Sequence, residues 1–94
     1  MAFSLMRNDL DILFEFPCRF PVKAMGRNDG DFEAIVTSLV LRHARLFEGE
    51  SVRLQPSAEG NFLSVTVTIE AESRDQLDQI YHDLTDCERV LMAL

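Results

Sequence analysis

In Phe62-Leu63-Ser64-Val65-Thr66-Val67-Thr68-Ile69-Glu70-Ala71-Glu72, apolar and polar residues alternate without a break from Leu63 onward. Leu63, Val65, Val67, Ile69 and Ala71 fall on one face of an extended chain. Ser64, Thr66, Thr68, Glu70 and Glu72 fall on the other. Side chains of a strand project to alternate sides, so this pattern is a half-buried strand of an antiparallel sheet. Its length and β-branched content place it at the centre of that sheet.

The segments on either side complete the second half of the chain. Upstream, Pro56-Ser57-Ala58-Glu59-Gly60-Asn61 is turn chemistry. Before it, Ser51 to Gln55 predicts a strand with Val52 and Leu54 on one face. Downstream, Ser73-Arg74-Asp75-Gln76 has the Ser-x-x-Gln spacing of a capping box. It opens a helix with Leu77, Ile80, Tyr81 and Leu84 on one stripe. Glu88 to Leu94, with Val90, Leu91 and Met92, reads as a closing strand.

The first half supplies one more strand and one more helix. Residues 1–18 are a lead-in whose apolar side chains (Leu5, Leu10, Ile12, Leu13, Phe14, Phe16) are expected to pack on the domain, with a helical turn near residues 7–13. Arg19 to Met25 predicts a strand with Phe20, Val22 and Ala24 on one face. Gly26-Arg27-Asn28-Asp29-Gly30 is a turn. A helix is expected over Asp31 to Leu46, because Phe32, Ile35, Val36, Leu39, Val40 and His43 recur at three- and four-residue steps. Asp29, Asp31 and Glu33 at its start, and Arg42, His43 and Arg45 at its end, suit the helix dipole.

The order strand, helix, strand, strand, helix, strand over residues 19–94 is an α+β, ferredoxin-like βαββαβ unit. Two helices then cover one face of a four-stranded antiparallel sheet of order 4-1-3-2. The other face stays open, carrying Lys23, Arg53, Gln55, Ser64, Thr66 and Thr68.

With 94 residues the chain is sized for one domain. It is 47% hydrophobic and 27% charged, a globular composition, and its net charge of -7 disfavours nucleic acid. Residues 48–94 hold three basic and ten acidic residues. That half is a solvated face or a docking surface for a basic partner. The N-terminus lacks the pattern of a signal peptide, and no apolar stretch has the length of a membrane span, so a cytoplasmic location is expected. Cys18 and Cys87 are expected as reduced thiols. They flank the first and last strands, which are neighbours in this fold, and so can approach each other.

Chemistry is sparse. No nucleophile-base constellation and no metal signature stand out, so neither an enzyme nor a cofactor is expected. His43 lies in an apolar stripe and reads as a packed or capping histidine; His82 reads as exposed. The loop from Gly26 to Gly30 is not a phosphate loop, since three acidic residues crowd the helix start as caps.

Particular residues carry a resemblance. Glu15-Phe16-Pro17, Phe20, Lys23-Ala24-Met25-Gly26, Arg42-His43-Ala44, Ser57 with Gly60-Asn61-Phe62 and Ser64-Val65, and Val90-Leu91-Met92-Ala93-Leu94 together resemble the bacterial YbeD family from about Leu13 to Leu94. The chain departs from that family's pattern at Phe62, where Tyr is common, and at Leu63, where His is common. The resemblance implies a fold similar to ACT regulatory domains, a lipoate-regulator label and no catalytic residues. It makes Lys23, Met25, Gly26, Arg42, His43, Ser57, Gly60, Asn61 and Ser64 the candidates for binding a ligand or partner. The expected function is a small regulatory domain that senses a small-molecule effector at the interface of a homodimer. The alternative is an adaptor that holds a protein through its open sheet face or its acidic half.

Overall fold

The structure is a computed structural model that describes residues 15–94. The expected packing of the lead-in and its helical turn fall mostly on residues 1–14, outside the described residues. The elements run β1 (Cys18–Arg27), α1 (Phe32–Leu41), β2 (Arg53–Pro56), β3 (Phe62–Ala71), α2 (Arg74–Asp86) and β4 (Val90–Ala93). The sheet order is β2-β3-β1-β4, the expected 4-1-3-2 read from the other edge.

β3 forms because its alternating residues can bury one side while its backbone pairs on both. Leu63, Val65, Val67, Ile69 and Ala71 are all buried. β1 runs antiparallel beside it from Cys18↔Ala71 to Arg27↔Phe62. On the far side of β1, β4 pairs through Ala24↔Ala93 and Met25↔Met92, then shifts register to Gly26↔Val90. Val22 and Ala24 of β1 join the β3 residues beneath the helices.

The helices close this layer. α1 buries Phe32, Val36 and Val40, and α2 buries Leu77, Ile80 and Leu84. Each fully buried aliphatic or aromatic side chain of this kind contributes about 1.5–3 kcal/mol relative to exposure. Core packing is therefore what decides the fold, well ahead of any surface pair.

Several expectations need correcting. α1 ends at Leu41 rather than Leu46, so Arg42, His43 and Arg45 lie past its last turn. The chain leaves the helix because its backbone finds a partner in the sheet: Glu70 N donates to Arg45 O, Phe47 N donates to Thr68 O, and Leu46 bridges Ile69. These two long-range hydrogen bonds, which make the Leu46–Ile69 bridge, draw the chain onto the sheet in place of one more helical turn. At the other end, Asp31 occupies the N-cap but makes no side-chain cap bond. Its carboxylate accepts from Arg89 instead, 2.5 Å from Nη2.

Gly26 belongs to β1, not to a turn. Thr68 faces away from the helices yet is only 1% exposed. The Arg19–Glu50 ion pair, 2.7 Å long, ties the connection before β2 to this end of the open side. β2 begins two residues late and lies at the edge, with every residue exposed; Leu54 shares the helix-facing side with Val65 yet is 45% exposed. Cys18 and Cys87 do not approach each other. Cys18 opens β1, whereas Cys87 precedes Val90, the partner of Gly26 near the other end. Eight residues of strand separate the two positions, about 26 Å. Both thiols are free.

Candidate functional site

The nine candidate residues divide into three places. The open sheet face holds Lys23, Met25 and Ser64. Lys23 pairs with Thr66, and Thr66 with Arg53, so Lys23, Thr66 and Arg53 form one row across three strands. Met25, Ser64 and Gln55 form the next row. Lys23, Arg53, Leu54, Gln55 and Thr66 line a shallow groove of about 480 Å³. On its β4 margin, Met92 pairs with Met25, and Leu94 exchanges two backbone bonds with Lys23. Met92 is 50% exposed and Leu94 66%.

Charge is unevenly divided between the two sides of the sheet. Strand alternation places Arg19, Lys23, Arg27 and Arg53, four of the nine basic residues, on the open side. Among the strand positions of that side, Glu70 is the acidic one. The helices carry Glu33, Asp75, Asp78, Asp83 and Asp86. The protein is acidic, but its acid lies mainly on the helical layer and in the loops. The sequence pattern already put both Lys23 and Arg53 on the open face, but not in one row. Register is the missing information, because only the pairing through Thr66 brings these side chains into one row.

Gly26, Ser57, Gly60 and Asn61 gather at the end of the sheet where β1 leaves and β3 enters. Their polar atoms are used internally. Ser57 Oγ accepts from Phe62 N at 3.1 Å, and Gly60 N donates to Ser57 O at 2.9 Å. Asn28 N donates to Asn61 O at 3.0 Å, and Asn28 Nδ2 to Gly60 O at 3.1 Å. Gly60 has a φ of 79°, the left-handed region that a side chain disfavours. These bonds build the turn and fasten it to the β1–α1 loop.

Arg42 and His43 lie on the helical layer, at the opposite end of the sheet, and do not join the other seven. His43 Nε2 donates to Asp83 Oδ2 at 2.6 Å, with Arg42 Nη1 3.6 Å from the same oxygen. Gln76 Nε2 donates to His43 O at 2.9 Å. Asp83 was absent from the sequence-derived candidates. Its signal is its place beside Leu84 and one turn after Ile80, where a carboxylate at the margin of a buried stripe needs a partner. The hydrogen bond from His43 holds the Asp83 carboxyl below its ordinary value of 3.8, against a smaller opposing effect of burial. Arg89 does the same for Asp31. Asp31 in turn raises the Arg89 guanidinium. Burial raises Tyr81, whose hydroxyl donates to Leu94 O at 2.7 Å.

His43, Asp78, Gln79, His82 and Asp83 line a shallow depression of about 550 Å³. A carboxylate beside an imidazole can orient the ring for proton transfer. The other residues that line the depression, Asp78, Gln79 and His82, bring neither a hydroxyl nor a thiol to the pair. Among the described residues, no three His, Cys, Asp or Glu side chains are grouped to hold a metal ion, and no helix is long and apolar enough to cross a membrane.

Comparison with known proteins agrees with this architecture. A UPF0250 protein of Chromobacterium violaceum is 44% identical over 89 residues, covering 95% of this chain and all of that protein. UPF0250 proteins of Nitrosomonas europaea and Paraburkholderia phytofirmans are 42% and 40% identical over 82 residues, covering 87% of this chain and 94% and 92% of theirs. The solution structure of protein HP0495 from H. pylori is similar, with a TM-score of 0.67 at 13% identity over 86% of this chain and 85% of that one. That likeness concerns the fold alone. The model of DUF493, described as a protein of unknown function, matches residues 11–94. The chain therefore belongs to the DUF493 family, the UPF0250 proteins that the sequence resemblance names YbeD.

Proposed function

We propose that this domain is a non-enzymatic adaptor that holds a protein partner on its open sheet face. One observation carries the reading. The face away from the helices sets the Lys23–Thr66–Arg53 row beside exposed Met92 and Leu94, a mixed polar and apolar surface of the kind partners use. Edge strand β2, exposed along its length, borders the same surface and suits strand addition. The test is a photo-crosslinking residue placed in cells at Ser64 on this face and, separately, at Gln79 on the helical layer. A defined adduct from Ser64 and none from Gln79 is the expected result. Adducts from Gln79 alone would move the contact to the helices and end this reading.

The groove supports a second reading. Its volume of about 480 Å³ falls in the ordinary range for small-molecule sites. Lys23 and Arg53 suit a carboxylate, as in lipoate or octanoate. On this reading the domain is an ACT-like regulator whose groove a second subunit closes. Native mass spectrometry with lipoate, octanoate and amino acids separates the two. A dimer that gains the mass of one compound favours the regulator, and a bare chain in every mixture favours the adaptor.

A further inference from the structure

We infer that the partner segment taken by the open face is acidic: an extended peptide with carboxylates over Lys23 and Arg53 and an apolar side chain on the Met92–Leu94 margin. The inference rests on the adaptor reading and adds the chemistry of the partner.

Charge complementarity carries it. Arg19, Lys23, Arg27 and Arg53 face the open side, with Glu70 and the loop residue Glu50 as local acids. Arg19 is engaged by Glu50 at 2.7 Å. No ion pair within 4.0 Å occupies Lys23 or Arg53 among the described residues. Their Cα positions are two strand spacings apart, about 9.5 Å. Alternate residues of an extended peptide lie about 6.7 Å apart on one side, within reach of two long, flexible cationic stems.

The net charge of -7 does not cancel this attraction. The acids of α1 and α2 sit beyond the sheet, on the order of 10 Å from the open face, and the screening length at physiological salt is about 8 Å. At contact distance the two local cations therefore dominate. A nucleic acid, with a charge on every residue, would run past this small basic row into the surrounding acid, whereas a short acidic peptide would not.

The experiment is a titration of the ¹⁵N-labelled full chain, followed by NMR. The probe is a blocked ten-residue peptide alternating Glu with Leu and Ser. Its controls are the same peptide with Gln for Glu, and oligothymidylate of ten nucleotides. Shifts at Lys23, Met25, Arg53, Gln55, Thr66 and Met92 are expected, with binding by the Gln peptide weaker by about tenfold. A K23E/R53E variant should lose binding to the same extent and keep the dispersed spectrum of a folded chain. K23Q/R53Q should show an intermediate loss. Shifts confined to the helices, equal binding of the Gln peptide, tighter binding of the oligonucleotide, or self-association on titration would each overturn the inference. Crosslinking from Ser64 in the K23E/R53E background distinguishes the two levels. A persistent adduct removes the acidic partner and keeps the adaptor; no adduct even in the parent chain removes both.

Discussion

At the scale of single residues, Gly26 bears the tightest constraint. It is buried in β1, and a Cβ there would run into the carbonyl oxygen of Arg89 and come within 2.6 Å of the Phe32 ring. The carbonyl is fixed by the chain entering β4 and the ring belongs to the core, so neither yields cheaply. Gly26→Ala is expected to cost about 2 kcal/mol, read as a fall in Tm of roughly 10 °C by calorimetry. The sequence shows a glycine at this place but not its reason. The turn-rich run from Gly26 to Gly30 suggests a loop, and the crowding that demands glycine comes from residues 6 and 63 positions away. His43 and Asp83 are likewise 40 positions apart. The stripe containing His43 announced a packed histidine, but nothing in the local sequence names the carboxylate that meets it.

Among elements, α2 was the most legible and α1 the least at its end. Ser73 caps α2 as its spacing predicts, accepting from Gln76 N at 3.1 Å. The Gln76 side chain reaches back one residue further than a capping box requires, accepting from Glu72 N at 2.7 Å. Ser73→Ala should therefore destabilise the domain by about 1 kcal/mol, with Ser73→Gly close to neutral, by urea denaturation. α1 misled because helical periodicity continued through His43 while the backbone had a better outlet in β3. β3 itself was readable throughout, since strict alternation over ten residues fits one structure. β2 was readable as a strand but not as an exposed one. Of its apolar pair, Val52 packs against the core just before the strand, while Leu54, on the same face as Val65, is left exposed at the edge.

At the scale of the whole molecule, two ion pairs fasten the ends of the helical layer over the packed core. The start of α1 is tied to the α2–β4 connection by Asp31 and Arg89, and the segment after α1 is tied to α2 by His43 and Asp83. Both carboxyls titrate below 3.8 in the folded chain. A depressed folded value means that these groups stabilise the fold above the unfolded value, and that this contribution is lost as pH falls through the folded value. Stability is thus expected to drop as pH is lowered from 3.8. An Asp31→Asn/Asp83→Asn variant should show a shallower drop in thermal melts across that window. Charge by halves was legible in the chain, and so was the placing of Lys23 and Arg53 on one face, but the row they form was not, because it depends on strand register. The same register bears on how the protein is made. β1 emerges early, yet its partners are Ala71 for Cys18 and Ala93 for Ala24. Its pairings are almost entirely non-local, and such topologies fold slowly. Until nearly the whole chain has left the ribosome, β1 has no sheet to join. In that interval its Phe20, Val22 and Ala24 are apolar surface available to chaperones, and any stalled or truncated product would present that unpaired strand to its neighbours.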